Sequence, residues 1–286
     1  MSQPNGAPAR VEWAPISGPL AAVHASGVAA PPLSPRADHA QGTPARAGTT
    51  IVFVHGFTQT GRSWQPIAEY FVRAGHRCVL VDLPGHGGSA HVRADLRRAA
   101  DMLGTVGGPA VYVGYSLGGR VCLHLALMYP HLVERLALIG AHPGIDDDGD
   151  RAARRAADDA LASRIHAVGV PAFLREWVAQ PLFGGMSATE ADLAERERNT
   201  ADGLASSLRM MGTGTQVPLW PRLLELTMPV LAMAGADDHR FAAVAAQLAD
   251  AAPHARSLLI DGAAHAAHLQ RPDAVVSALE QFLHQS

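Results

Sequence analysis

The chain has 286 residues, of which 48% are hydrophobic, which is enough for one well-packed domain but short for two independent enzymes. Its formal net charge of −3 gives no electrostatic reason to expect nucleic acid or an acidic membrane surface as a general partner. All 23 basic residues are arginine, so any cationic site consists of planar guanidinium groups, which suit carboxylates.

The amino-terminal segment, residues 1–48, is rich in Pro, Ala and Gly. Two short apolar stretches, residues 11–14 and 20–25, are predicted to pair as a hairpin, and residues 29–48 are predicted to be a flexible linker. The first residues lack the layout of a signal peptide, and no later run reaches the roughly 18 apolar residues that span a bilayer. We therefore expect a cytoplasmic protein without membrane insertion.

From Thr50 onward, short β-branched runs alternate with helical segments, a pattern that predicts an α/β fold with a parallel sheet and crossover helices. Strands are predicted at 51–54, 78–81, 111–114, 136–139, 230–234 and 257–260. Helical periodicity predicts helices at 64–74, 117–128, 241–251 and 272–283. Cys78 and Cys122 lie in apolar stretches without metal-ligand spacing, so both are predicted to be buried free thiols.

A long segment, residues 143–225, interrupts this alternation and is mostly helical in pattern. It is predicted to be a helical cap inserted between the two parts of the core, 49–142 and 226–286. An insertion at this point lies above the carboxyl ends of the strands, where ligands bind in open α/β sheets. The alternative is an elaboration that packs far from the site.

The segment VYVGYSLGGR, residues 111–120, contains a Gly-x-Ser-x-Gly pattern around Ser116, directly after a predicted strand and before a predicted helix. Such a serine occupies a sharp, strained turn, and the flanking glycines let the strand and the helix approach closely. Its hydroxyl projects at the helix amino terminus, where free N–H groups favour a developing negative charge. Ser116 is therefore predicted to be the catalytic serine of a nucleophile elbow.

A catalytic serine needs a base and an acid, which in this fold follow it in the order Ser, acid, His. Asp237 and Asp238 follow the strand at 230–234, and His265 follows the strand at 257–260. The pattern alone does not separate the two aspartates. His268 is a second candidate base, but it falls at a predicted helix start, where a partly exposed and inert imidazole is expected.

The segment FVHGFTQTG, residues 53–61, is predicted to supply the other half of the site. The backbone N–H groups of Phe57 and Leu117 are predicted to form an oxyanion hole, while His55 is expected to be structural, beneath the turn. The glycine-rich turn LPGHGGS at 83–89 lacks a following Lys-Ser/Thr and the dinucleotide-binding spacing. Nucleotide binding is therefore excluded.

Residues 55–272 resemble the MenH family, the 2-succinyl-6-hydroxy-2,4-cyclohexadiene-1-carboxylate synthases of menaquinone biosynthesis, in the α/β-hydrolase superfamily. The resemblance lies in GYSLGGR at 114–120, HPGI at 142–145 followed by RAARRAADD, FLREWVAQPLF at 173–183 and RNTADGLASSLRMMGTGTQ at 198–216. Most of these motifs lie in the predicted cap, where unrelated hydrolases diverge. The sequence departs from the family in the loop GAAH, where a glycine more often precedes the histidine, and at Gln270, where an acid is common.

The resemblance implies an α/β-hydrolase fold and a triad of Ser116, Asp238 and His265, with Asp238 favoured because it lies in a Gly-x-x-Asp-x-x-Phe stretch. The family's substrate is a small polycarboxylate that loses pyruvate, and arginines would bind its carboxylates. The resemblance also implies substrate contacts from Tyr115, Arg120, Arg151, Trp177 and Arg198. A solvated, salt-bridged helix face explains Arg151 and Arg198 equally well.

Two other classes of function remain open. A serine hydrolase, either a carboxylesterase or a carbon–carbon bond hydrolase, would use the same triad for covalent acyl transfer. A non-enzymatic ligand receptor or scaffold would need no triad at all. No metal or organic cofactor is implied, because the triad is self-sufficient and the 15 histidines show no ligand spacing. The sequence does not indicate an oligomeric state.

Overall fold

A twisted sheet of eight strands forms the centre of the protein, for which the computed structural model describes residues 11–26, 48–186 and 188–285. In chain order the strands are Ala14–Ile16 (β1), Ala22–Ser26 (β2), Thr50–Val54 (β3), Arg77–Val81 (β4), Ala110–Tyr115 (β5), Val133–Ile139 (β6), Val230–Gly235 (β7) and Ala255–Ile260 (β8). Across the sheet their order is β1-β2-β4-β3-β5-β6-β7-β8. The strand β2 is antiparallel to both of its neighbours, and β3 to β8 are parallel. All six strands predicted from the sequence are present.

Helices cover both faces of this sheet. The α-helices are Gln65–Arg73 (α1), Leu96–Gly107 (α2), Leu117–Met128 (α3), Asp148–Val168 (α4), Val170–Val178 (α5), Glu190–Arg196 (α6), Ala201–Met211 (α7), His239–Ala251 (α8), Ala267–Gln270 (α9) and Pro272–His284 (α10). The apolar sides of α2, α3 and α8 belong to one core cluster, and those of α1 and α10 belong to the other. The strands are therefore buried on both faces, as their continuous apolar runs predict.

The four predicted core helices are present, and α2 is an addition. This helix is amphipathic and buries Leu96, Leu103 and Val106 together with small residues, so its periodicity is a signal that the sequence prediction missed. The two cysteines, Cys78 and Cys122, are buried and free, as predicted. None of the helices in the described ranges is both long and apolar enough to cross a membrane.

The amino-terminal hairpin extends the edge of the core sheet. The strands β1 and β2 pair antiparallel, with Ala14 opposite His24, and β2 pairs with β4. The first strand begins three residues later than the sequence predicts and contains Pro15, which is tolerated because β1 is an edge strand. Residues 27–47, which include almost all of the predicted linker, lie outside the described residues.

The helices α4 to α7 lie between β6 and β7, and we refer to residues 143–225 as the insert. Their contacts form a small apolar core of their own, to which Phe57 from the loop after β3 also packs. The insert therefore contacts the core close to the carboxyl ends of β3 and β5. The residues of this small core are Ala162, Ile165, Phe173, Leu204, Ala205 and Leu208.

Candidate active site

Ser116 lies on the turn between β5 and α3, in a backbone conformation that few residues adopt. Its φ is +50° and its ψ is −108°, and Thr58 is the one other non-glycine residue with positive φ in the described part of the chain. A Cβ on Gly114 would lie 2.6 Å from the backbone of α3, and one on Gly118 would collide with the carbonyl oxygen of Val54. The absence of these two side chains lets the strand and the helix meet at a sharp turn.

The side chains of Ser116, His265 and Asp238 form a chain of hydrogen bonds. The Oγ atom of Ser116 lies 3.2 Å from Nε2 of His265, whose Nδ1 lies 2.8 Å from Oδ2 of Asp238. An ionised carboxylate only accepts, so Asp238 keeps the proton on Nδ1 and leaves Nε2 free to accept from Ser116. Asp238 also caps α8 by accepting from the Phe241 N–H at 3.2 Å, whereas Asp237 is exposed. The structure thus separates the two aspartates that the pattern does not.

Phe57 and Leu117 both line the cavity that contains Ser116. Phe57 lies in the loop after β3, and Leu117 is the first residue of α3. Neither backbone N–H donates to an acceptor within the ranges that the structure describes. The first N–H groups of a helix have no partner inside it and carry the positive end of its dipole. These two amides are therefore available to an oxyanion.

Two buried histidines lie next to the triad without belonging to it. The Nδ1 of His55 lies 2.8 Å from the Gly56 carbonyl, its Nε2 accepts from the Leu83 N–H at 3.0 Å, and burial lowers its pKa to about 4. His55 is therefore a neutral structural group, as predicted. The expectation of a partly exposed His268 is wrong, because its ring is buried between Trp64 and Tyr115, with centroids 4.5 and 4.3 Å away. His265, rather than His268, faces Ser116.

A cavity above Ser116 is lined by both the core and the insert. Its charged residues are three arginines, Arg120, Arg154 and Arg240, and no carboxylate from the described residues lines it. Within those residues no group of three or more His, Cys, Asp or Glu side chains is placed to hold a metal ion. The remainder of the wall is largely apolar and aromatic, including Phe57, Trp177, Leu182, Phe183, Leu208, Met211 and Phe241.

Arg120 lies one turn after Ser116 on α3 and is 8% exposed. Its Nη1 donates to Oε1 of Gln216 at 3.2 Å, and Nε2 of Gln216 donates to the His142 carbonyl at 3.3 Å. In the described chain this neutral amide is the hydrogen-bonding partner of the guanidinium. Burial, with the charge of Arg154, lowers the pKa of Arg120 to about 9, so the guanidinium is charged at neutral pH. The charge of Asp158, which pairs with Arg154, opposes this lowering, but no carboxylate of the described residues forms a salt bridge with Arg120, and a buried guanidinium without a directly bonded counter-ion suits an anionic ligand.

Two arginines that the resemblance implies as substrate contacts do not line the cavity. Arg151 turns back to the carbonyl oxygen of Ile145 at 2.8 Å and pairs with Asp148. Arg198 pairs with Glu195 at 2.8 Å, and its side chain is 44% exposed. Both side chains form salt bridges, as the alternative interpretation predicts, although Arg198 lies in the turn after α6 and the Arg151 side chain is only 21% exposed. The expectation that they reach the cavity is corrected accordingly.

Two arginines that were not singled out from the sequence do line the cavity. Arg154 lies three residues after Arg151 on α4, and its Nε donates to Asp158 at 2.8 Å. Arg240 belongs to the first turn of α8, with its guanidinium carbon 5.8 Å from the centre of the Phe241 ring. The motif RAARRAADD gives only a partial signal, because an aspartate four residues later can orient an arginine on a helix, but this spacing applies to Arg155 and Asp159 as well as to Arg154 and Asp158.

Tyr115 and Trp177 both line the cavity, at positions that fit the contacts implied by the resemblance. The Tyr115 ring lies 5.3 Å from the His265 ring, and burial raises the pKa of its phenol, which stays protonated. Trp177 comes from α5 in the insert and packs edge to face on Phe57 at 5.1 Å. The aromatic wall thus spans the contact between the core and the insert.

Gln270 ties the loop that carries His265 to the insert. Its Oε1 accepts from the Ala264 N–H at 2.8 Å, and its Nε2 donates to the Phe183 carbonyl at 3.2 Å. The His265 N–H also reaches the Leu182 carbonyl at 3.3 Å. An ionised acid at position 270 would be unable to donate to Phe183. The departure from the family at this position therefore adds a hydrogen bond between the loop and the insert.

The sheet, the strained serine turn and the Ser-His-Asp chain define a protein of the α/β-hydrolase fold, and the family model described as alpha/beta hydrolase fold matches residues 49–272. A 2-succinyl-6-hydroxy-2,4-cyclohexadiene-1-carboxylate synthase of Salmonella paratyphi C is 34% identical over 258 residues, which cover 86% of this chain and 98% of that protein. The synthase of the same name from Salmonella typhimurium (strain LT2) gives the same identity and coverage. The chain belongs to the MenH family of the α/β-hydrolase superfamily and is an enzyme.

Solved structures agree with this assignment. The structure of MenH from S. aureus is 28% identical, has a TM-score of 0.76, and is matched over 82% of this chain and 93% of its own. A thermophilic esterase from Thermogutta terrifontis has a TM-score of 0.73 at 20% identity, covering 96% of this chain and 100% of that one. At that level of identity the esterase shows the common fold alone.

Proposed function

We propose that this enzyme eliminates pyruvate from 2-succinyl-5-enolpyruvyl-6-hydroxy-3-cyclohexene-1-carboxylate to give 2-succinyl-6-hydroxy-2,4-cyclohexadiene-1-carboxylate, a step of menaquinone biosynthesis. The observation that carries the proposal is the cavity at Ser116, which is lined by Arg120, Arg154 and Arg240 and by no carboxylate of the described residues, although Asp158 pairs with Arg154 from outside the lining. The substrate has three carboxylates, so the two charge patterns are complementary. The 34% identity to proteins named for the product supports the same reaction.

The first chemical step is removal of the ring proton next to the succinyl carbonyl. His265, oriented by Asp238, accepts the proton of Ser116, and the serine oxygen removes the carbon-bound proton. The electron pair of the broken C–H bond moves into the carbonyl group and places negative charge on its oxygen. The N–H groups of Phe57 and Leu117 stabilise this enolate oxygen, so no acyl-enzyme forms.

The second step breaks the carbon–oxygen bond to the enolpyruvyl group. The electrons return from the enolate oxygen through the ring double bond, which leaves a conjugated diene in the ring. The group departs as the enolate of pyruvate and takes up a proton at its methylene carbon. One proton is removed and one is returned, so the reaction consumes neither water nor an oxidant.

The proposal assigns separate tasks to the residues that line the cavity. Arg120, which lies one turn after Ser116, holds a carboxylate close to the reacting carbon, and the charge-assisted bond is strong because the guanidinium is buried. Arg154 and Arg240 bind the remaining carboxylates. Tyr115 and Trp177 contact the apolar ring. Localisation in the cytoplasm, where such a pathway would operate, belongs to the same proposal.

Pyruvate release from the enolpyruvyl substrate tests the proposal. We expect rapid release by the wild type, a loss of at least about 10³-fold in kcat for Ser116→Ala, and a loss of at least about 10-fold in kcat/KM for Arg120→Ala. Arg73→Ala is the control, because Arg73 lies on an exposed face of α1. An Arg120→Ala enzyme with unchanged kcat/KM contradicts the substrate assignment.

Acyl transfer to Ser116 is the competing function that the triad supports, since the 3.2 Å contact with His265 also suits a nucleophilic serine. A short-chain p-nitrophenyl ester is therefore assayed in parallel. If only the ester turns over, the chain is a serine hydrolase of another substrate. If pyruvate is released and the release is lost in Ser116→Ala, slow ester turnover is a side reaction.

A further inference from the structure

Side chains from the insert hold the loop after β3, residues 56–60, which contains Phe57. We propose that Arg196 and Asn199 are positioning residues that fix Thr58 in its left-handed conformation and so aim the Phe57 N–H at the oxyanion. The inference rests on the proposed role of that N–H group. It applies to the elimination and to any acyl transfer, because both use the same amide.

Thr58 is the strained residue of this loop. The Gln59 N–H donates to the Gly56 carbonyl at 3.2 Å, and Thr58, the third residue of this four-residue turn, has a φ of 67°. A positive φ at this position is the mark of a type II turn, in which glycine or asparagine is usual. A completely buried, β-branched threonine is unusual there and needs a specific reason.

Two buried side chains from the insert bind the hydroxyl and the carbonyl of Thr58. Nη1 of Arg196 donates to the Thr58 hydroxyl at 2.6 Å, and Nδ2 of Asn199 donates to the Thr58 carbonyl at 2.8 Å. Arg196 is itself held by Asp192 at 3.0 Å, and Oδ1 of Asn199 accepts from the Gly87 N–H at 2.8 Å. The Arg196 side chain is 4% exposed, so water does not compete for these bonds.

Hydrogen bonds also hold residues on either side of Phe57. The Gly56 N–H donates to Oε1 of Gln59 at 3.0 Å, and the hydroxyl of Thr60 donates to Glu195 at 2.7 Å. The Phe57 N–H, between them, has no acceptor in the described ranges. Because Phe57 lines the cavity, the held loop leaves one backbone donor that an acceptor from outside the protein can pair with.

The threonine hydroxyl explains why glycine does not occupy this position. Glycine adopts a positive φ without strain, but it offers Arg196 no acceptor. Loss of the hydroxyl leaves one donor of a buried guanidinium unpaired, which is unfavourable. The insert therefore does more than line the cavity, because the end of α6 and the segment that follows it set the geometry of an amide that belongs to the core.

Labelling of Ser116 by an alkyl fluorophosphonate tests the inference, because this reaction needs the serine and the oxyanion hole but no carboxylate binding. For Thr58→Val we expect the labelling rate and the kcat for pyruvate release to fall by about 30-fold, a part of the roughly 10²–10³-fold that one oxyanion donor contributes. The KM should change by less than about two-fold, since no arginine of the cavity is altered.

Three comparisons complete this experiment. Thr58→Ser keeps the hydroxyl and should label within about three-fold of the wild-type rate, and Thr105→Val is the matched control, since the Thr105 hydroxyl bonds only within α2. A folded Thr58→Val enzyme that labels at the wild-type rate overturns the inference, as does a fall in melting temperature with unchanged kcat. If Thr58→Val does not fold, Thr58→Gly removes the same hydroxyl without strain and is judged by the same rates. If no variant or wild type releases pyruvate, the labelling rates still decide the inference.

Discussion

Ser116 lies on a turn where the backbones of β3, β5 and α3 approach one another closely. Arg154, on the insert side of the same cavity, is instead held by a side-chain hydrogen bond to Asp158. Around the turn, Gly118 lies so close to the Val54 carbonyl that no Cβ fits. Around Arg154, by contrast, the side chain is 38% exposed. The serine proposed to be catalytic is thus fixed by the fold itself, whereas Arg154, which is proposed to bind substrate, is held by a contact that a single substitution can alter without unfolding the core.

The largest expected effect is a loss of stability caused by a substitution in the core, next to Ser116. In Gly118→Ala, the new Cβ meets a carbonyl oxygen of β3, which cannot move without disturbing the sheet. We expect the free energy of unfolding to fall by about 3 kcal/mol or more, at the upper end of the range for overpacking. Urea unfolding followed by circular dichroism measures it.

Gly75→Ala is the control for this substitution. Gly75 has a φ of +94° but open space around it, so the added methyl group introduces backbone strain without a collision. We expect a loss of about 1 kcal/mol. Equal losses in the two variants would show that the turn at Ser116 tolerates a Cβ, and that the close approach of β3 and α3 does not determine the position of the serine.

The core side is also the side that the sequence predicts well. The strands follow from continuous apolar runs, and parallel strands place their carboxyl ends at one edge, so Ser116 and His265 have to meet there. The burial of His268 is predicted wrongly, because contact between distant segments decides it. His268 is buried because Trp64 and Tyr115 enclose it, and neither is near it in the chain.

The insert side is predicted less well, for a physical reason. Arg151 and Arg154 lie on the same helix, and which of them reaches the cavity depends on how α4 rests on α7, a contact that helical periodicity does not specify. The first instead bonds to the carbonyl of Ile145, which precedes the helix. Arg196 is missed for a similar reason, because its partner Thr58 is 138 residues away in the sequence.

Gln216 of the insert bonds Arg120 of the core, so its substitution tests the boundary between the two regions. In Gln216→Glu, an isosteric carboxylate faces Arg120 in a buried position and neutralises it. A substrate carboxylate then loses its partner and meets a negative charge, so we expect KM for the enolpyruvyl substrate to rise by about 30-fold with kcat changed by less than about three-fold.

Steady-state kinetics of pyruvate release measures this effect, and Gln281→Glu on the exposed side of α10 is the matched control, with no change expected. Thermal unfolding should show a melting temperature close to that of the wild type, because the new ion pair with Arg120 is offset by burial of the carboxylate and by loss of the hydrogen bond to the His142 carbonyl. An unchanged KM would mean that the substrate does not use the charge of Arg120.

The smallest expected effect is a difference in KM between substitutions of two arginines on α4. Arg154→Gln should raise KM by about 10-fold, equivalent to about 1.4 kcal/mol, because the side chain lines the cavity but remains partly exposed and screened. Arg151→Gln removes the same charge three residues away and should change KM by less than about two-fold, since its guanidinium is bound to the backbone of Ile145. The difference between the two variants should shrink as ionic strength rises. Equal effects at low salt would show that the insert acts through its overall charge, and that the position of Arg154 at the cavity wall contributes nothing specific to substrate binding.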